Sequence, residues 1–120
     1  MTRLFVYGTL KRGGKWHHYL AGQTFLAEAR TQPGFTLYSL DGYPGLVAST
    51  EDQEGVLGEL WIVDPACLRK LDEFEGLHEG LYRRESIALA SPQSAADTYV
   101  YARSIASKPK LGAVWNEPDC

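Results

Sequence analysis

The chain has 120 residues, room for one domain spanning residues 1–120 but not for two that fold independently. Hydrophobic residues make up 44% and charged residues 22%, ordinary globular usage that argues against a disordered, collagenous or coiled-coil chain. Twelve basic and fifteen acidic side chains give a net charge of −3, without the basic footprint of a general nucleic-acid binder.

Apolar runs are only a few residues long, so neither a membrane span nor a signal peptide is expected, and the expected compartment is the cytoplasm. Arg3 to Tyr7 is apolar and aromatic and ends at Gly8, which predicts a first strand. Gly8 to Lys15 follows as a glycine-rich basic loop, and Trp16 to Leu20 forms a short helix stopped by Gly22. Strands are expected at Thr24–Arg30 and Phe35–Leu40, separated by the turn signal Pro33-Gly34. After the turn Asp41-Gly42-Tyr43-Pro44-Gly45 comes a short strand, Leu46–Ala48. Gly55 to Val63 alternates as a strand, with Val56, Gly58, Leu60 and Ile62 on one face and Leu57, Glu59, Trp61 and Val63 on the other.

The period then changes. Asp64 is an N-cap with Pro65 at the first helical position, Leu68, Leu71 and Phe74 keep helical spacing, and Gly76 stops the helix. Leu81–Leu89 and Thr98–Ser104 return to strand composition, and the tail 107–120 is expected to be irregular. About six strands joined by short turns with one clear helix predict an α+β domain, a small closed or half-closed barrel. The strand–helix–strand unit over 55–89 could add a parallel pairing.

On a helical wheel of about 100° per residue, Cys67, Leu68, Leu71 and Phe74 define the buried stripe. Glu75 falls between Leu71 and Leu68, seven residues after one and four after the other. Burying a carboxylate is costly, and both desolvation and the negative helix end raise its pKa. Such a group suits general acid/base chemistry near neutral pH. The alternative is a last-turn residue that frays outward to solvent.

Tyr7-Gly8-Thr9-Leu10 leaves the first strand at once, and Gly8 permits positive φ or close approach of a ligand to the backbone. Successive amides there could cradle an anion, with Lys11, Arg12 and Lys15 nearby. A ligand-free glycine turn is the alternative. A phosphate-binding P-loop fails, because five residues separate Gly8 from Gly14 and Trp16 stands where a Ser or Thr should hold magnesium.

Other candidates carry less. His17-His18 and His78-Glu79 lack the spacing that sets two imidazoles on one helical face. Ser39, Ser49 and Ser86 have no nucleophile elbow. Cys67 reads as core, and with Cys120 as a reduced thiol. Arg84 and Tyr101 could line the barrel mouth or pack at its rim.

Three stretches together resemble the γ-glutamylcyclotransferase-like family: Leu4-Phe5-Val6-Tyr7-Gly8-Thr9-Leu10-Lys11-Arg12-Gly13; Gly42-Tyr43-Pro44-Gly45-Leu46-Val47; and Leu71-Asp72-Glu73-Phe74-Glu75-Gly76 with Tyr82-Arg83-Arg84. The resemblance implies a small mixed β-barrel with flanking helices. It implies release of 5-oxoproline and a free amine when a γ-glutamyl group attacks its own γ-carbonyl. It maps the catalytic carboxylate onto Glu75 and the substrate cradle onto Tyr7, Gly8, Thr9 and Leu10. Tyr43, Tyr82, Arg84 and Tyr101 complete the candidate substrate contacts. No metal or organic cofactor is implied, and the expected partner is a small γ-glutamyl molecule, bound by a monomer or weak dimer. A binding module on the same fold, in which Glu75 only pairs with a ligand amine, is the second hypothesis.

Overall fold

In a computed structural model that describes residues 1–116, the first strand, β1 (Thr2–Val6), is buried on both sides. Phe5 points into one apolar cluster with Leu37, Leu46, Leu60 and Leu89, while Leu4 and Val6 point into a second with Trp61, Val63, Cys67 and Leu71. The first cluster fills a barrel, and the second lies between the barrel wall and a helix. Each fully buried Leu, Val or Phe contributes about 1.5–3 kcal/mol over its exposed state, so both layers are needed in so short a chain.

The other elements follow in order: a 3₁₀ helix (His17–Leu20), β2 (Thr24–Thr31), β3 (Phe35–Ser39), β4 (Pro44–Ala48), β5 (Leu57–Val63), α1 (Pro65–Phe74), β6 (Tyr82–Ser91), β7 (Ser94–Tyr101) and β8 (Lys110–Gly112). The sheet order is β1-β5-β2-β6-β7-β4-β3-β8, and β1 also pairs with β7. That pairing closes β1, β5, β2, β6 and β7 into a five-stranded barrel, with β4, β3 and β8 extending the sheet. The architecture is the small mixed α+β barrel expected, with eight strands among the described residues where about six were predicted. A register shift between Phe25 and Ala27 bends β2, which pairs with β5 along most of its length and with β6 at its end.

Three expectations need correction. The strand–helix–strand unit does not pair its own strands: β2 lies between β5 and β6, antiparallel to each. The parallel contacts are instead Leu4 opposite Asp97 and Leu46 opposite Val100. The last barrel strand begins at Ser94 rather than Thr98, because eight register pairs with β6 recruit Ser94, Ala95, Ala96 and Asp97 despite their poor strand propensity. The stretch expected to be irregular contains β8, paired to β3 through Leu37 and Tyr38. Cys120 lies outside the described residues. Among these residues no helix is long and apolar enough to cross a membrane.

The helix start is as its sequence dictates. Asp64 accepts a hydrogen bond from the Cys67 amide at 2.7 Å, and Pro65 takes the position where a missing N–H has no consequence.

Candidate active site

Three elements converge on a cavity of about 380 Å³, at the small end of ligand pockets. They are the loop after β1, the hairpin turn between β3 and β4, and the end of α1. Tyr7, Gly8, Thr9 and Leu10 line the cavity together with Tyr43, which is 38% exposed, and with Glu75 and Tyr82.

Glu75 is the C-cap of α1, and it does not fray. Its amide donates to Leu71 at 2.8 Å, the Gly76 amide returns to Glu73 at 3.1 Å, and the Leu77 amide returns to Asp72 at 3.2 Å. This reciprocal pair is a Schellman closure, and Gly76 supplies its left-handed residue at φ +68°. Cys67 and Leu71 are buried while Glu73 is exposed, as the wheel requires. Desolvation raises the Glu75 carboxyl from 4.5 to about 7.

Three phenols surround that carboxyl, and each proton is committed elsewhere. Tyr7 donates to the Tyr99 carbonyl at 2.6 Å, Tyr82 to the Pro44 carbonyl at 2.9 Å, and Tyr99 to Asp72 Oδ1 at 2.7 Å. Burial pushes all three phenols well above their ordinary range, and a charged Glu75 adds to each rise. They stay neutral at any physiological pH; Tyr7 and Tyr82 hold backbone in place, and Tyr99 holds the Asp72 side chain.

The loop is a built structure. The Lys11 amide closes a turn on the Gly8 carbonyl at 3.1 Å, and the Trp16 amide returns to Thr9 at 3.0 Å. The amides of Thr9 and Leu10, central in the first turn, take no part in its closing bond. Glu59, 4% exposed, anchors the loop from beneath: its carboxylate accepts the Arg12 amide at 3.0 Å, Arg12 Nε at 3.0 Å and the Trp61 indole at 3.1 Å. Of the basic cluster, Arg12 is thus engaged by Glu59 and stacked 3.8 Å over the Phe25 ring, Lys11 donates to the Trp115 carbonyl, and Lys15 lines the cavity. Gly8 is required by close approach, but the neighbour is protein: a β-carbon there would lie 2.5 Å from Pro44 Cγ.

The hairpin turn presents Tyr43 and Pro44 to this loop. Asp41 and Gly42 both have positive φ, 70° and 103°, the geometry that an Asp-Gly pair favours between strands.

Two expected contacts lie elsewhere. Arg84 does not line the cavity; it pairs with Asp72 at 3.0 Å and Asp97 at 2.9 Å. Tyr101 sits opposite Tyr82 in the β6–β7 register and packs edge-on against its ring. Tyr99, two residues earlier on the same face of β7, lines the cavity instead. Strand alternation carried the signal for Tyr99 as well as for Tyr101. Lys15, expected near the loop, lines the cavity, and so do Trp16 and Asp41, which no sequence pattern placed there. His17 bonds the Leu10 carbonyl and packs on Trp61, and the Cys67 thiol, raised by burial, donates to the Tyr19 carbonyl.

The family model described as gamma-glutamyl cyclotransferase, AIG2-like, matches residues 4–117. The chain belongs to this family. A Vibrio cholerae protein provisionally named a gamma-glutamylcyclotransferase is 40% identical over 98 residues, covering 82% of this chain and 80% of that one. Gamma-glutamylaminecyclotransferase A of Danio rerio is 35% identical over 111 residues, covering 84% of this chain and 68% of that one. The solution NMR structure of the Escherichia coli protein ytfP superposes with a TM-score of 0.71 at 31% identity over 94% of each chain. Membership in the gamma-glutamyl cyclotransferase, AIG2-like family and the names of these relatives point to gamma-glutamylcyclotransferase activity.

Proposed function

We propose that this protein converts a γ-glutamyl amine or γ-glutamyl peptide into 5-oxoproline and a free amine, with Glu75 as general base and then general acid. One observation carries the proposal: a carboxyl group raised to about 7 stands at a locked helix end, in the same cavity as the Tyr7–Leu10 loop.

The substrate's α-amine arrives as an ammonium ion, which is not a nucleophile. Glu75, as carboxylate, takes one of its protons. The freed amine adds to the γ-carbonyl carbon, forming the ring C–N bond and moving an electron pair onto the carbonyl oxygen. The Thr9 and Leu10 amides are suited to hold that oxyanion or the α-carboxylate. Glu75 then protonates the departing nitrogen, the original C–N bond breaks and the carbonyl re-forms. The ring nitrogen sheds a second proton, so the amine leaves as ammonium. No water enters, and the products together contain the atoms of the substrate. Much of the acceleration comes from holding the chain curled with its own nucleophile against the carbonyl.

The test is incubation with a panel of γ-glutamyl amines and peptides, following 5-oxoproline and released amine together. Wild type is expected to form both in equal amounts on at least one member, and Glu75→Gln to lose about 10²- to 10⁴-fold in kcat. A folded Glu75→Gln variant with wild-type turnover would remove Glu75 from the mechanism.

A further inference from the structure

Asp72 is the meeting point of three elements. Its Oδ1 accepts the Tyr99 hydroxyl at 2.7 Å and Arg84 Nε at 3.0 Å, and its Oδ2 accepts a second guanidinium N–H of Arg84 at 3.3 Å. Asp97 holds Arg84 from the other side at 2.9 Å. Asp72 belongs to α1, Arg84 to β6, and Asp97 and Tyr99 to β7. The bidentate fork fixes the direction of the Asp72 carboxylate as well as its charge.

The position of this cluster links it to the cavity. Asp72 precedes Glu75 by three residues, one turn back along α1. Its carbonyl accepts the Leu77 amide in the closure that holds Glu75. Tyr99 lines the cavity, and its carbonyl accepts the Tyr7 hydroxyl. A continuous bonded path therefore runs from Arg84 through Asp72 and Tyr99 to Tyr7, where the cradle loop begins, and Glu75 lines the same cavity.

We infer that Asp72 is a positioning residue: the Arg84–Asp72–Tyr99 clamp fixes the last turn of α1 to β7 and so sets the Glu75 carboxyl against the Tyr7–Leu10 loop. This rests on the proposed role of Glu75. The clamp also occupies the Tyr99 phenol proton, which would otherwise be free to turn toward the cavity. The titratable groups lining the cavity with Glu75 are Tyr7 after β1, Lys15 in the loop, Asp41 and Tyr43 in the β3–β4 turn, Tyr82 on β6 and Tyr99 on β7. Removing Asp72 deletes a negative charge, releases the Tyr99 donor and loosens the last turn toward water. All three consequences favour the ionised form of Glu75.

Two measurements on the full chain test the clamp: carboxyl-resolved NMR titration of Glu75 without substrate, and the pH profile of 5-oxoproline release. Asp72→Ala is expected to move the Glu75 midpoint to lower pH and to reduce kcat about 10- to 100-fold, the scale of a misplacement near 1 Å. Asp72→Asn deletes the charge but still accepts from Tyr99, so it is expected to lower the midpoint less than Asp72→Ala and to keep most of kcat. Tyr99→Phe removes the same hydrogen bond while keeping the Arg84–Asp72 pair and both charges, so only the loosened last turn acts: a smaller fall in the midpoint is expected, readable even if Asp72→Ala fails to fold. An unmoved midpoint in a folded Asp72→Ala or Tyr99→Phe variant overturns the clamp, as do equal effects of the Ala and Asn replacements. Absence of 5-oxoproline from every γ-glutamyl compound with wild type overturns the functional reading instead, and the NMR comparison still decides the clamp.

Discussion

Burial raises the Glu75 carboxyl to about 7, and a group in that range exchanges its proton with the medium near neutral pH, which is what the acid/base role proposed for it requires. The rising limb of kcat/KM is expected to follow its ionisation near pH 7, well above an ordinary glutamate, because the base must be ionised to accept the ammonium proton. A limb near pH 4.5 would mean a solvated side chain. Glu75 was legible in the sequence because seven-residue spacing from Leu68 assigns a helix face without any tertiary information. Arg84 and Tyr101 were misplaced for the complementary reason. Alternation tells which side of a strand a residue takes, but not how far along the barrel it sits, and the long Arg84 side chain reaches Asp72 and Asp97 rather than the mouth.

Elements are positioned by a few buried contacts that sequence hardly marks. Glu59 shares a face of β5 with Leu57, Trp61 and Val63, the one carboxylate among apolar side chains, and it is buried beneath the glycine-rich loop. Replacing it with Ala leaves the Arg12 amide and the Trp61 indole without their acceptor, and is expected to cost about 1–3 kcal/mol. Thermal unfolding reads that loss, and steady-state kinetics are expected to show KM rising more than kcat falls, since the loop rather than the acid/base group is loosened. Gly8 fails at the same scale by a different route. Gly8→Ala drives a β-carbon into Pro44, so the loop and the β3–β4 turn must separate, with an overpacking cost of about 1–3 kcal/mol and weaker substrate binding. Unchanged melting and KM would show that the two loops yield freely. The sequence marked Gly8 as special but not why, because Pro44 is 36 residues away in the chain and meets it only once β4 pairs with β7.

The whole molecule closes on pairings that no local pattern contains. Strand compositions, the Asp64–Pro65 start and the Gly76 stop were all readable, whereas the insertion of β2 between β5 and β6 and the parallel closure of β1 on β7 depend on long-range packing around Phe5, Leu60 and Leu89. Global stability also bears the mark of the site, with a definite sign. A carboxyl raised from 4.5 to about 7 binds its proton more tightly in the folded than in the unfolded state. Below pH 4.5 both states are protonated and the group contributes nothing. Between pH 4.5 and about 7 the unfolded chain loses its proton first, so stability falls as pH rises. Above that window the penalty is complete, on the order of 3 kcal/mol, a sizeable share of a typical domain's 5–15 kcal/mol. Asp64 acts in the opposite sense: hydrogen bonds from the Cys67 amide and the Gln23 side chain lower its pKa, so its contribution is lost as the medium is acidified through that lowered value. Comparing wild type with Glu75→Gln isolates the first effect, since both retain Asp64. Denaturant unfolding of the two proteins should coincide at pH 4, diverge through pH 5 to 7, and leave the Gln variant more stable at pH 8 by an amount of that order. A Gln variant no more stable than wild type at pH 8 would mean that folding imposes no penalty on the charged form of Glu75, and the proton it is proposed to shuttle would have to be carried by another group.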